Sequence, residues 1–243
     1  MKKYNGFYIM GNYPDKETFI KAAVEGLKYF DFLEVGIPFS DPIADGETIA
    51  DAAQLMIERG CGFAEISESI REIRRSVGQD KDIYLMTYSN LIYNMNIPDF
   101  NTFCVEQNIM GLILPDVPSC EKWFVRSLGL DDRIKLISFM TPESSDESIT
   151  ERAKAADSFI YFISMRGITG GEFNPDDGTL RKIALAKEHA SVPVVLGFGI
   201  RDRVSADSAQ KRGDGFIAGT AFIESLGHSG YRGFMERLNE FFG

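Results

Sequence analysis

Eight short apolar segments recur along the 243 residues, each followed by material with helical spacing, and no linker, low-complexity tract or composition shift interrupts them. That repetition predicts an α/β protein, a single (β/α)8 TIM barrel occupying residues 1–243 as one domain. A hydrophobic fraction of 44% over this length supplies enough core for one such barrel. An open, doubly wound sheet is the competing arrangement, and eight evenly spaced units suit it less well.

Taken in order, Tyr4 to Met10 form the first strand, closed by the turn-like Gly11-Asn12-Tyr13-Pro14. Phe19, Ala22, Ala23, Leu27 and Phe30 then recur at helical spacing, and Phe32 to Val35 form a buried second strand. Ile49, Ala52, Ala53, Met56 and Ile57 line a helix face that stops at Gly60, and Ile66, Ile70, Ile73 and Val77 line the next. Ile83 to Tyr88 is the third strand, with a helix behind Pro98-Asp99. Gly111 to Leu114 is the fourth strand and Ile134 to Phe139 the fifth. Ser144 and Glu147 have the spacing of a capping box for a helix through Ala156. Phe159 to Ile163 is the sixth strand. A polar Gly-rich loop, Ser164 to Gly178, leads to a helix over Thr179 to His189. Val192 to Leu196 is the seventh strand and Gly215 to Ala218 the eighth, with a helix between them from near Asp202 and a last helix carrying Phe234, Leu238 and Phe241.

A net charge of −10 disfavours nucleic acid or an anionic membrane as partner, but not a small anion held by backbone dipoles. Cys61, Cys104 and Cys120 lack paired or metal-like spacing, which fits reduced thiols in the cytoplasm. No apolar run approaches the length of a membrane span. His189 and His228 have no ligand cluster around them, so no metal site is expected.

In barrels of this kind chemistry sits at the C-terminal ends of the strands. Glu34 ends the second strand, and Asp45 follows eleven positions later in a Gly/Pro-rich loop. Two carboxylates in different environments can hold different protonation states, so one donates a proton while the other accepts. Each also has a plain structural reading: Glu34 as an ion-paired acid, Asp45 as a helix N-cap. Tyr88 and Asn90 follow the third strand and Asp116 the fourth. Tyr161 lies within the sixth and Thr169 in its loop; on residue type alone, structure and function remain open for these. Gly197-Phe198-Gly199 and Gly219-Thr220 close the seventh and eighth strands. Glycines there let backbone N–H groups approach a phosphate at a helix N-terminus, so phosphate-binding loops are expected after strands 7 and 8. The Gly-rich loop from Ser164 is a candidate lid.

Leu33-Glu34-Val35-Gly36-Ile37-Pro38-Phe39-Ser40-Asp41-Pro42-Ile43-Ala44-Asp45-Gly46 resembles the signature of the tryptophan synthase alpha subunit family. The likeness continues through Met86 to Asn90, Asp116-Val117-Pro118, Gly167 to Gly170, Gly197 to Ile200 and Gly219-Thr220, in order along nearly the whole chain. The resemblance implies a lyase of tryptophan biosynthesis that cleaves indole-3-glycerol phosphate to indole and glyceraldehyde 3-phosphate by a retro-aldol reaction. It implies Glu34, Asp45 and Tyr161 as catalytic residues. Tyr8, Thr169, Gly170, Gly197, Phe198, Gly199, Gly219 and Thr220 become substrate- or phosphate-binding positions, and Asn90 and Asp116 contact positions for a partner. It further implies an α2β2 complex with a beta subunit that carries pyridoxal phosphate, and no cofactor in this chain. A catalytically weak alpha chain acting mainly as activator of its beta partner is the alternative.

Four departures from the family pattern stand out. The helix usually ahead of the first strand is almost absent, so the barrel bottom must be covered otherwise. Asn12 replaces a common Gly, Glu47 a common Pro, and Met165-Arg166 the usual basic-first pair.

Overall fold

The structure is a computed structural model, and it describes residues 3–163 and 174–243. Among these, nine strand segments form one parallel sheet in the order β5-β4-β3-β2-β1-β9-β8-β7-β6. They are β1 (Gly6–Met10), β2 (Phe32–Gly36), β3 (Asp82–Met86), β4 (Ile109–Ile113), β5 (Lys135–Leu136), β6 (Ser138–Met140), β7 (Ile160–Ile163), β8 (Val194–Gly197) and β9 (Gly215–Ala218). The expected fifth strand is present in two pieces. β5 pairs with β4 and β6 with β7, and at the break the Ile137 amide still donates to the Leu112 carbonyl at 3.0 Å. One bent strand therefore joins both margins of the sheet, and the seventh and eighth barrel strands are β8 and β9.

Around the sheet lie α1 (Lys16–Gly26), α2 (Glu47–Glu58), α3 (Phe63–Val77), α4 (Ser89–Tyr93), α5 (Ile97–Glu106), α6 (Lys122–Ser127), α7 (Asp146–Ala155), α8 (Asp177–His189), α9 (Arg203–Arg212) and α10 (Thr220–Phe242). α10 is two helices in line, separated by non-helical backbone at Ser229 and Gly230. Helix starts follow the cap chemistry of the sequence: Asp15, Asp176 and Asp202 each accept a hydrogen bond from an amide three residues on. The capping box expected at Ser144 and Glu147 is shifted by one residue. Ser145 is the cap, because Ser144 belongs to a turn in which its hydroxyl accepts from the Thr141 amide at 3.1 Å. The third strand stops at Met86 rather than Tyr88, since Tyr88 already caps the unexpected short helix α4.

Strand alternation sorts side chains into two layers. Phe7 points outward to Phe30 and Phe234, with ring centroids 4.9 and 6.0 Å away. Phe32 points inward and forms an aromatic floor with Tyr84 and Phe159. Tyr4 closes the barrel bottom beneath it. Its ring stacks on Phe32 at 4.7 Å and its hydroxyl donates to Asp82 at 2.6 Å. Tyr4, Phe32, Tyr84 and Phe159 together form an aromatic plug at this end of the barrel.

Asn12 has φ 59°, a left-handed conformation that suits Gly or Asn. Its side chain accepts from the Ser69 hydroxyl at 2.6 Å, so the substitution keeps the backbone and adds a buried polar tie. Glu47 opens α2 in its first turn, where an acid is favoured by the helix dipole much as Pro is favoured by its fixed φ. Met165-Arg166 lie outside the described residues. No described helix is long and apolar enough to cross a membrane.

Candidate active site

Tyr8, Glu34 and Tyr84 are lateral partners on β1, β2 and β3. Because Phe32 faces the barrel interior, Glu34 two residues on faces it too, one layer above the aromatic floor. Its carboxyl is 3% exposed, and Oε2 has no hydrogen-bond partner among the described residues. Burial, and next the charge of Asp45, push its pKa up to about 8. An acid in that state carries a proton at neutral pH and can deliver it.

Asp45 does not cap α2; that position is Gly46. Its carboxylate instead accepts a hydrogen bond from the Tyr88 hydroxyl at 3.0 Å, while the Ala44 amide donates to the same hydroxyl oxygen at 3.2 Å. Tyr88 stacks on Phe39 at the start of the loop, with centroids 4.8 Å apart. One tyrosine, two residues past β3, thus clasps both ends of the acid loop. Burial raises the Asp45 pKa to about 6, with the Tyr88 hydrogen bond pulling the other way. The two acids are therefore set apart: near pH 7 Glu34 is mostly protonated and Asp45 mostly ionised.

Opposite them stands Tyr161 on β7, packed against Phe139 with centroids 5.1 Å apart. Gly197 at the end of β8 makes room for this ring: a Cβ there would lie 2.4 Å from Tyr161 Cε1. Phe198 and Gly199 follow with φ 75° and 77°. Phe198 is a non-glycine residue held in the left-handed region, a strain that concentrates at sites where backbone must point a particular way. Gly219 then precedes Thr220, the first residue of α10. The cleft they enclose holds about 670 Å³ of empty space, its open mouth included.

Of the residues expected from sequence, Glu34, Asp45 and Tyr161 line this cleft together, as do Tyr8, Phe198, Gly199, Gly219 and Thr220. Gly197 supports it from behind Tyr161. Thr169 and Gly170, with the candidate lid through residue 173, lie outside the described residues. Asn90 and Asp116 are not in the cleft. Asn90 is exposed on α4, and the Asp116 carboxylate accepts from the Ser89 amide and hydroxyl at 3.0 and 2.6 Å, closing the N-terminus of that helix. Sequence reasoning noted Tyr88 only as a polar residue past a strand, and it passed over Arg201, which also lines the cleft. Its position two residues beyond Gly199 was the available signal. Among the described residues no group of three or more His, Cys, Asp or Glu could hold a metal.

The sequence profile of the family described as tryptophan synthase alpha chain matches residues 3–241. The chain belongs to that family. The tryptophan synthase alpha chain of Deinococcus radiodurans is 34% identical over 90% of this chain and 81% of its own length. That of Aquifex aeolicus is 34% identical over 90% and 84%. Among solved structures, an Aquifex aeolicus protein superposes with a TM-score of 0.87 at 30% identity, covering 99% of this chain and 92% of that one. A chain of the tryptophan synthase α2β2 complex of Pyrococcus furiosus gives 0.86 at 25% identity, covering 99% of each. For a tryptophan synthase alpha chain, the paired acids over β2 and the glycine loops after β8 and β9 lie where this barrel fold places chemistry and phosphate.

Proposed function

We propose that this chain, a single-domain barrel over residues 1–243, cleaves indole-3-glycerol phosphate to indole and glyceraldehyde 3-phosphate. The observation that carries the mechanism is the split between Glu34, buried and protonated, and Asp45, ionised on its loop. Glu34 delivers its proton to indole C3, and Asp45 stabilises the positive charge that this places on the ring N–H. The Glu34 carboxylate then takes the proton of the side-chain hydroxyl next to the bond. The carbon–carbon electron pair returns to the ring, indole leaves neutral, and the aldehyde forms with Glu34 reprotonated. No proton is gained or lost overall. Tyr8 and Tyr161 flank the ring, Phe198 closes its side, and the amides around Gly197, Gly199, Gly219 and Thr220 receive the phosphate. Thr169 and Gly170 belong to the lid in this reading.

The partner in this reading is a beta subunit in an α2β2 complex, carrying the pyridoxal phosphate that this chain does not itself use. Support for a docking face comes from Tyr93 on α4 and Trp123 on α6, which are 62% and 67% exposed beside Asn90 and Asp116. The free thiols of Cys61, Cys104 and Cys120 support a reducing, cytoplasmic setting. The test is indole release from indole-3-glycerol phosphate, with and without beta subunit. Glu34→Gln is expected to lower turnover by about 10³-fold or more with the fold intact by circular dichroism. Wild-type turnover in that variant would refute the role.

A further inference from the structure

Resting on the reaction proposed above, we infer that Arg201 is a specificity-determining residue for the phosphate end of the substrate, held between substrates by Glu224. Among the described residues that line the cleft, Arg201 is the one basic side chain, against the two acids Glu34 and Asp45. It follows Gly199-Ile200 in the loop after β8 and lines the cleft with Gly219 and Thr220. β1 separates β9 from β2, the strand that carries Glu34, and β8 lies one strand further round. Positive charge therefore sits on the phosphate side and negative charge on the indole side.

The backbone of Arg201 is pinned, and among the described residues its side chain is tied by a single ion pair. Its amide donates to the Ser205 hydroxyl at 2.9 Å, and its carbonyl accepts from Arg237 at 3.3 Å. The side chain is 34% exposed, and among the described residues its guanidinium donates through Nη2 to Glu224. A guanidinium has five N–H donors in a planar fork matched to phosphate oxygens, so this one contact leaves donors for a second anion. Glu224 lies four residues past Thr220 on α10, one turn along the same face. It neutralises Arg201 when no substrate is present and repels an arriving phosphate. In a chain of net charge −10, a cation at the cleft mouth adds to the backbone dipoles in attracting a dianion.

Opposite signs distinguish this role from a brace. KM and kcat for indole-3-glycerol phosphate are measured for the alpha–beta complex, and the affinity of inorganic phosphate for the alpha chain by titration calorimetry. Arg201→Met is expected to raise KM and weaken phosphate about tenfold with kcat within about twofold, and Arg201→Lys to weaken both about threefold. Glu224→Gln, by freeing the guanidinium, is expected to lower KM and tighten phosphate about threefold. If the pair merely braced two loops, Arg201→Met and Glu224→Gln would both weaken binding, and that result overturns the inference. Normal wild-type turnover with KM and phosphate affinity indifferent to Arg201 overturns it as well. Absence of indole release alongside Arg201-dependent phosphate binding would instead sink the reaction and leave the phosphate assignment standing.

Discussion

The Tyr88 hydroxyl donates a 3.0 Å hydrogen bond to the Asp45 carboxylate across 43 positions of sequence, while accepting from the Ala44 amide beside it. A residue fixed on the barrel wall thereby sets both the place and the charge of an acid carried on a loop.

Removing that hydroxyl has a signed consequence. The Tyr88 hydrogen bond lowers the Asp45 pKa against the rise caused by burial, so Tyr88→Phe leaves the acid harder to ionise. The acid limb of kcat/KM is expected to move to higher pH, with a loss of about tenfold at pH 7, the scale of one hydrogen bond to a charged group. A pH profile superimposable on wild type would show that Asp45 is set by something else.

The wild-type profile itself follows from the two acids. Activity requires Asp45 ionised and Glu34 protonated, with pKa values near 6 and 8. kcat/KM of the wild-type enzyme is expected to be bell-shaped, falling below about pH 6 and again above about pH 8. A rate that kept climbing to pH 9 would exclude Glu34 as proton donor.

Glu34 also costs stability at alkaline pH. Its folded pKa of about 8 lies above the ordinary carboxylate value of 4.5. Its contribution is thus fully present below about pH 4.5 and lost as pH rises through 8, up to about 5 kcal/mol in all. Glu34→Gln, which never ionises, is expected to match wild type near pH 5 and exceed it by about 10 °C or more in Tm at pH 9. Thermal unfolding at the two pH values checks this, and an equal Tm difference at both would contradict it.

Gly197→Ala tests the back wall of the cleft. The new methyl would lie 2.4 Å from the Tyr161 ring, which Phe139, Phe159 and Phe198 also crowd, so the tyrosine must shift and change the shape of the cleft it lines. A destabilisation of about 1–3 kcal/mol in urea is expected, together with a raised KM. An unchanged KM would place the Tyr161 ring outside the binding volume.

Much of this was legible along the chain. The alternation of Phe32, Glu34 and Gly36 with Leu33 and Val35 puts the acid on one face of the strand with Phe32, and Gly199 announces unusual backbone. Ser144 was misjudged because a capping box and a turn use the same hydroxyl, and only the neighbouring Thr141 decides between them. Asp45 also had a structural reading as a cap, since its competitor for that carboxylate, Tyr88, comes from 43 positions away, past the end of β3.

The succession of strands along the chain and the glycine content of the loops after β8 and β9 were settled by local pattern, because backbone periodicity and steric freedom are properties of a few consecutive residues. The bend at Ile137, the Tyr88–Asp45 clasp, the aromatic plug of Tyr4 and the Arg201–Glu224 pair were decided only when the sheet closed. Closure brings together loops distant along the chain, and which of their side chains meet depends on barrel register and curvature, which no short window of residues encodes.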